Sequence, residues 1–190
     1  MIMRVVSVNC ALARPVQMNG RRVMTAIGKQ AVQGRVPVAR MGLAGDEQAD
    51  LSVHGGPSKA VYAYGLQHYA FWQTVRAQAQ VSLWDEALPA GSLGENLSID
   101  QLDETDLWIG DQWHLPDCVL AVSEPRFPCG KFNAVMGFAQ AGKMMVQSGW
   151  CGAYLAVIVP GTVGAGDEIR LEPGPREVSL RELFRARARS

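Results

Sequence analysis

The chain is poor in the residues that hold a protein together by covalent or metal bonds. Its four cysteines, Cys10, Cys118, Cys129 and Cys151, form no C-x-x-C pair and come after no secretory apolar segment. That argues against a disulfide framework and for a reducing, cytoplasmic compartment. The three histidines are scattered in the same way, so the paired spacing of a structural zinc site is missing. Net charge is also missing: Lys+Arg and Asp+Glu are both 18. No global field draws the chain to a nucleic acid polymer or an anionic membrane, and any positive site must be local. No apolar run reaches transmembrane length, and the valine-rich start is too short for a signal or transit segment. A ferredoxin-type cysteine run, a G-x-G-x-x-G after a strand, internal repeats and low-complexity tracts are all absent, so no iron–sulfur or dinucleotide site is written into the chain.

What remains is a globular composition, 48% apolar and 19% charged over 190 residues. It suits one main domain with small appendages. Many short strands with turn signals and few helices read as a mainly β barrel or sandwich decorated by helices. Residues 3–11 read as an opening strand buried on both faces. Asn19-Gly20, between residues 16–18 and 21–24, is a two-residue hairpin turn whose members both accept positive φ. Residues 32–38 and 61–64 read as further strands. Leu66, Tyr69, Ala70, Trp72 and Val75 have helical spacing and predict a helix over 66–79 with packed aromatics; His68 on it reads as surface or partly buried, having no ligand partner at i+4. Residues 107–109 and 112–115 flank Gly110-Asp111 as a second hairpin. A helix is expected over 133–147 with methionines as core filler, strands over 118–122, 153–159 and 168–171, and a capping-box helix from Ser179 and Glu182. The division is a barrel domain over 1–172, then a linker and short C-terminal helix over 173–190.

Chemistry concentrates in Ser123-Glu124-Pro125-Arg126-Phe127-Pro128-Cys129-Gly130-Lys131, a thiol between two cations in a proline-stiffened loop. Cationic neighbours favour the thiolate, the form that attacks electrophiles and binds soft metals. Gly55-Gly56, with His54 and Lys59, is either a turn or a backbone cradle for an anionic group. Glu95 and Asn96 either position a polar ligand or satisfy turn N–H groups. Three chemistries fit: hydrolysis by Cys129 with His54 as base, a zinc site, and a soft metal held by one thiolate with an organic cofactor supplying the other ligands.

Five ordered motifs carry a resemblance. Gly42-Leu43-Ala44-Gly45-Asp46-Glu47-Gln48, the segment from Val53-His54-Gly55-Gly56 through Lys59 to Val61, Gly94-Glu95-Asn96-Leu97, the segment from Val122 to Lys131, and residues 164–169 resemble the MOSC domain proteins, relatives of the C-terminal domain of molybdenum cofactor sulfurases, and among them the YiiM-like subgroup. The resemblance covers most of residues 3–171. It implies a MOSC-type β-barrel, a molybdenum cofactor (molybdopterin) in a cleft, and Cys129 as catalytic residue and molybdenum ligand. It places His54, Gly55, Gly56, Lys59, Asn96, Arg126 and Lys131 along the pterin and its phosphate. The implied reaction is reduction of N-hydroxylated compounds, such as hydroxylaminopurines or amidoximes, with a separate flavin or iron–sulfur reductase as electron donor and a homodimer allowed. A persulfide carrier on Cys129 and a cofactor-carrier module are the alternatives. Two departures stand out: many YiiM-like chains continue into a small helical domain where a single helix is expected here, so dimerisation or partner docking is expected to differ, and Ala156 stands where a number of relatives are basic.

Overall fold

The structure, a computed structural model, describes residues 2–18, 20–49 and 55–188. In chain order its strands are β1 (Met3–Cys10), β2 (Arg14–Met18), β3 (Arg21–Thr25), β4 (Gln30–Ala31), β5 (Val36–Ala39), β6 (Gly42–Leu43), β7 (Val61–Gly65), β8 (Leu97–Asp100), β9 (Gln112–His114), β10 (Val119–Pro125), β11 (Ala153–Val159), β12 (Gly161–Val163) and β13 (Glu168–Glu172). The helices are α1 (Tyr69–Gln78), α2 (Gly130–Met136), α3 (Ala141–Ser148) and α4 (Leu180–Ala188). Seven strands close a barrel in the order β1-β8-β7-β11-β10-β9-β13, with Met3 paired to Ile169 at the closure. Closing the sheet removes its unpaired edges. Neighbouring barrel strands are antiparallel except β7 and β8, which run parallel. No helix among the described residues is long and apolar enough to cross a membrane.

The opening strand is buried on one face, not two: Met3, Val5 and Val8 point inward while Arg4 and Val6 are exposed. β7, by contrast, is buried throughout, because α1 covers its outer side with Trp72 and Tyr69. Trp72 donates through Nε1 to the Tyr64 hydroxyl at 2.7 Å and packs edge-on against Phe132. Each such aromatic satisfies its polar tip while removing a large apolar surface from water. The aromatics of 66–79 are packing, as their spacing predicts, although the first turn is a 3₁₀ turn and the α-helix starts at Tyr69. His68 is buried, stacks on Trp150 and meets Glu104 Oε2 at 3.1 Å, a partner far outside helical range.

Three further sequence expectations are corrected. Residues 107–109 do not pair with 112–115. They lie against the C-terminal segment through Ile109 N–H to Val178 and Leu180 N–H to Leu107, while the buried Asp111 carboxylate accepts from the Trp108 and Gly174 amides. A carboxylate capping one local and one distant amide competes with the expected hairpin and wins. The helix expected over 133–147 is two helices, broken where Gly137 takes φ 85° and closes α2. Asn133 Oδ1 then accepts the Gly142 N–H at 2.7 Å, holding α3 against α2. The strand expected over 32–38 is only β5 at its far end, which joins β6 and β12 in a separate three-stranded sheet, while β4, just before it, pairs with the end of β1.

The hairpin β2–β3 forms around residues 19–20 with Met18 paired to Arg21; Asn19 lies outside the described residues. The methionines Met136 and Met145 are fully buried, as core filler should be. The last helix begins with the expected capping box: Ser179 Oγ donates to Glu182 Oε2 at 2.7 Å and Glu182 N–H returns to Ser179 Oγ at 3.2 Å.

Candidate functional site

β10 delivers the cysteine loop. Its pairing with β11 slips between Val122 and Glu124, a bulge that bends the strand and re-aims the loop beyond it. Pro125 ends the strand. Cys129 then stands in extended geometry (φ −129°, ψ 173°) immediately before α2, half-buried. The four cysteines are joined by no disulfide.

Cys129 faces an open cleft whose walls include Lys59, Asn96, Arg126 and Lys131, together with Lys29, Asp46, Tyr62 and Tyr154. Five of the residues singled out in the sequence, on three separate segments, therefore meet at one cavity. Gly55 and Gly56 are not among the lining residues; the Gly56 N–H donates to Gln48 Oε1 at 2.8 Å. His54 lies outside the described residues.

Arg126 is the most informative wall residue. It is 5% exposed, and its guanidinium lies 5.2 Å from the Tyr62 ring centre and 4.7 Å from that of Phe132. Nη1 points at the Met145 sulfur at 3.7 Å. Among the described residues it has no carboxylate partner. Burial opposes its charge, yet Tyr62, Tyr154 and Cys129 more than offset that and hold its pKa above arginine's usual value. Aromatic faces stabilise a cation, but a buried guanidinium is satisfied fully only by an anion.

The other cations have different surroundings. Lys59 sits over Tyr154 and 3.7 Å from Glu124 Oε2. Lys131, on the rim, donates to the Met24 carbonyl at 3.1 Å. Lys29, which no sequence motif marks, is ion-paired to Asp46 with both side chains under one-tenth exposed. A lysine alone in a polar stretch carries no pattern; only the fold brings it to Asp46, 17 residues away.

Asn96 and Glu95 resolve differently from each other. Asn96 lines the cleft, but its amide bridges segments: Oδ1 accepts the Tyr62 N–H at 3.0 Å, and Nδ2 donates to Asp46 Oδ2 at 2.9 Å and Asn9 O at 3.2 Å. Glu95 is fully buried behind it and satisfies turn groups, accepting from the Gly91 and Leu93 amides at 2.7 and 3.1 Å and from the Ser98 hydroxyl. Burial pushes its pKa above the usual carboxylate value, against those hydrogen bonds.

No group of three or more His, Cys, Asp or Glu able to hold a metal occurs among the described residues. The residues lining the cleft fit an anionic organic group whose metal takes one thiolate, because a single sulfur stands beside a buried cation that has no carboxylate partner among the described residues.

Fold and cleft together define the class: a closed β-barrel presenting one thiol in an aromatic, cation-lined cleft. The MOSC domain model matches residues 50–170. Escherichia coli YiiM is 35% identical over 159 residues, 83% of this chain and 68% of that protein. A Gibberella moniliformis protein named "Reductase" is 35% identical over 173 residues, 88% of this chain and 30% of that protein. The crystal structure of YiiM from Geobacillus stearothermophilus superposes with a TM-score of 0.74 at 27% identity, covering 96% of this chain and 82% of that one. The chain belongs to the MOSC domain family, and its relatives place it among the YiiM-like members.

Proposed function

We propose that the protein is an oxidoreductase that uses a molybdenum cofactor to reduce N-hydroxylated compounds, such as hydroxylaminopurines or amidoximes, to the corresponding amines or amidines. The single observation that carries this reading is the buried Arg126 guanidinium, without a carboxylate among the described residues, beside the half-buried Cys129 thiol. Membership of the MOSC family and the name of the fungal relative support it.

Cys129 would hold the metal, and Arg126 with Lys59 would hold the pterin phosphate. When bound, the cofactor supplies two-electron exchange at a soft metal. The chain supplies the rest. Tyr62, Tyr154 and Phe132 enclose Arg126 in an apolar wall, so its charge acts on the cleft at reduced dielectric. Lys29 Nζ, held on Asp46 at the same wall, is an ammonium able to give a proton to a departing hydroxyl. The net change is N–OH plus two electrons and two protons to N–H and water. The electrons come from a separate flavin or iron–sulfur reductase, and the setting is the cytoplasm.

The test is metal and pterin analysis of protein made in a cofactor-competent host, with hydroxylaminopurine reduction measured alongside. Wild type is expected to carry molybdenum and pterin. Cys129→Ala is expected to fold, to lose metal and to lose at least about a hundredfold in rate, the scale of removing a group that touches the reacting centre. Wild type without molybdenum, or a folded variant that keeps it, overturns the reading. Added sulfur on Cys129 without pterin, seen by mass spectrometry, would identify a persulfide carrier instead.

A further inference from the structure

Charge is unevenly placed along this neutral chain. The first 45 residues contain Arg4, Arg14, Arg21, Arg22, Lys29, Arg35 and Arg40 and no Asp or Glu; the first acid is Asp46. Three of these cations are neutralised by the fold: Arg4 on Glu168, Lys29 on Asp46, and Arg35 on Asp117 and Asp167. Arg14, Arg21 and Arg22 are not. They sit exposed on the hairpin β2–β3, which carries no acid, and among the described residues none is in an ion pair.

That hairpin is a two-stranded sheet with no strand-to-strand bonding to the barrel, and it stands at the mouth of the cleft. Thr25 at its end and the adjoining Ala26 line the cavity with Cys129, and Lys131, two residues past Cys129, donates to the Met24 carbonyl. Pairing of Gln17 with Arg22 and Pro15 with Met24 puts these four residues on one face. All four are exposed, Met24 by 49%. That face therefore carries an apolar methionine and proline beside the Arg22 guanidinium, while the exposed Arg14 and Arg21 stand on the other face, at the start of β2 and next to the turn. At about 3.4 Å per residue the patch is roughly 15 Å long, too short for a polyanion track but suited to the small interfaces of transient electron-transfer complexes.

We propose that hairpin β2–β3, with its three exposed arginines, docks an acidic redox protein that feeds electrons into the cleft. This rests on the reductase reading above, which needs two electrons from outside the chain. The donor's reduced flavin or iron–sulfur centre is oxidised by two electrons in total; the substrate N–O bond breaks, two protons are taken up, and oxygen leaves as water. Exposed arginines with no acidic partner among the described residues steer an acidic protein to the hairpin, raise its association rate, and make that rate fall with salt. The short path from Met24 through Lys131 to Cys129 explains why this hairpin suits the role.

Two arms test it. In the first, a small acidic flavodoxin is titrated into protein lacking cofactor. Wild type is expected to bind, and Arg21→Glu combined with Arg22→Glu to weaken binding at least tenfold, with wild-type binding falling at least tenfold between low and high salt. Equal binding by the double variant, or none by wild type, overturns the docking surface. In the second arm, turnover of the loaded enzyme is driven by reduced flavodoxin or by reduced methyl viologen, a small cation. The double variant is expected to lose at least tenfold with flavodoxin and nothing with viologen. Arg185→Glu, on the exposed side of α4, is expected to change neither; loss with flavodoxin at Arg185 alone would move the surface and overturn the proposal. Wild type that fails with viologen refutes the reductase reading, while the binding arm still decides the docking face.

Discussion

Arg126 shows how one side chain reports on what a cleft is for. Taking a guanidinium out of water costs several kcal/mol, and stacking on Tyr62 and Phe132 returns about 0.5–2 kcal/mol per ring. The proposed function gives that cost a reason, an anionic ligand held in the cleft. Arg126→Met, which extends the sulfur-rich contact with Met145, is therefore expected to leave the apoprotein as stable as wild type or up to about 2 kcal/mol more stable. Pterin retention is expected to fall at least about tenfold, the scale of one lost charge-assisted hydrogen bond. Denaturant melts of the apoprotein and fluorescence of released, oxidised pterin measure the two effects; a strongly destabilised variant would make Arg126 structural instead. The sequence already marks Arg126, because a cation three residues before a cysteine in a proline loop is conspicuous. It does not mark Lys29, whose partner is supplied by the fold.

Among the elements, α4 is the one whose start is fully written in local sequence. Ser179 and Glu182 cap each other, and the Ser179 hydroxyl, then its backbone N–H, hold the Glu182 carboxyl below its usual pKa. A depressed carboxylate contributes stability above its unfolded pKa, near 4.3, and loses it as pH falls through the folded value. Amides of residues 180–183 are expected to exchange faster, relative to the barrel, below about pH 4, and Glu182→Gln, which keeps the box without a titrating group, to show no such drop. Hydrogen exchange followed by NMR across pH 3–6 checks this. The same locality explains the hairpin β2–β3. It also explains the failure at 107–115, where Asp111 bonds to Gly174, 63 residues on, and no local rule anticipates it.

At the scale of the molecule, α4 also braces the cysteine loop. Phe184 is fully buried and stacks on Phe127 with ring centres 5.1 Å apart, and Phe127 precedes Cys129 by two residues. Phe184→Ala is expected to cost about 3–5 kcal/mol and, in the native state, to speed alkylation of Cys129 several-fold by loosening its loop. Stability unchanged, or a lower stability with an unchanged alkylation rate, would separate the helix from the site. Closure of the barrel by β1 on β13 brings residues from both ends of the chain together, so loosening at either end should be felt at the cleft.

Local spacing alone was enough to establish the β-rich class, the hairpin around residue 19, the capping box and the cysteine loop, because each depends on residues a few positions apart. It left Glu95 and Asn96 undecided, one helix whole that Gly137 divides, and the role of the basic hairpin unseen. Folding of the whole chain was needed to show that Lys59, Asn96, Arg126 and Lys131 share a cleft with Cys129, that Glu95 stands behind the wall, and that Arg126 is buried without a carboxylate among the described residues. Those facts are products of strand order and barrel closure, and contacts between segments tens of residues apart are set by the packing of the whole chain.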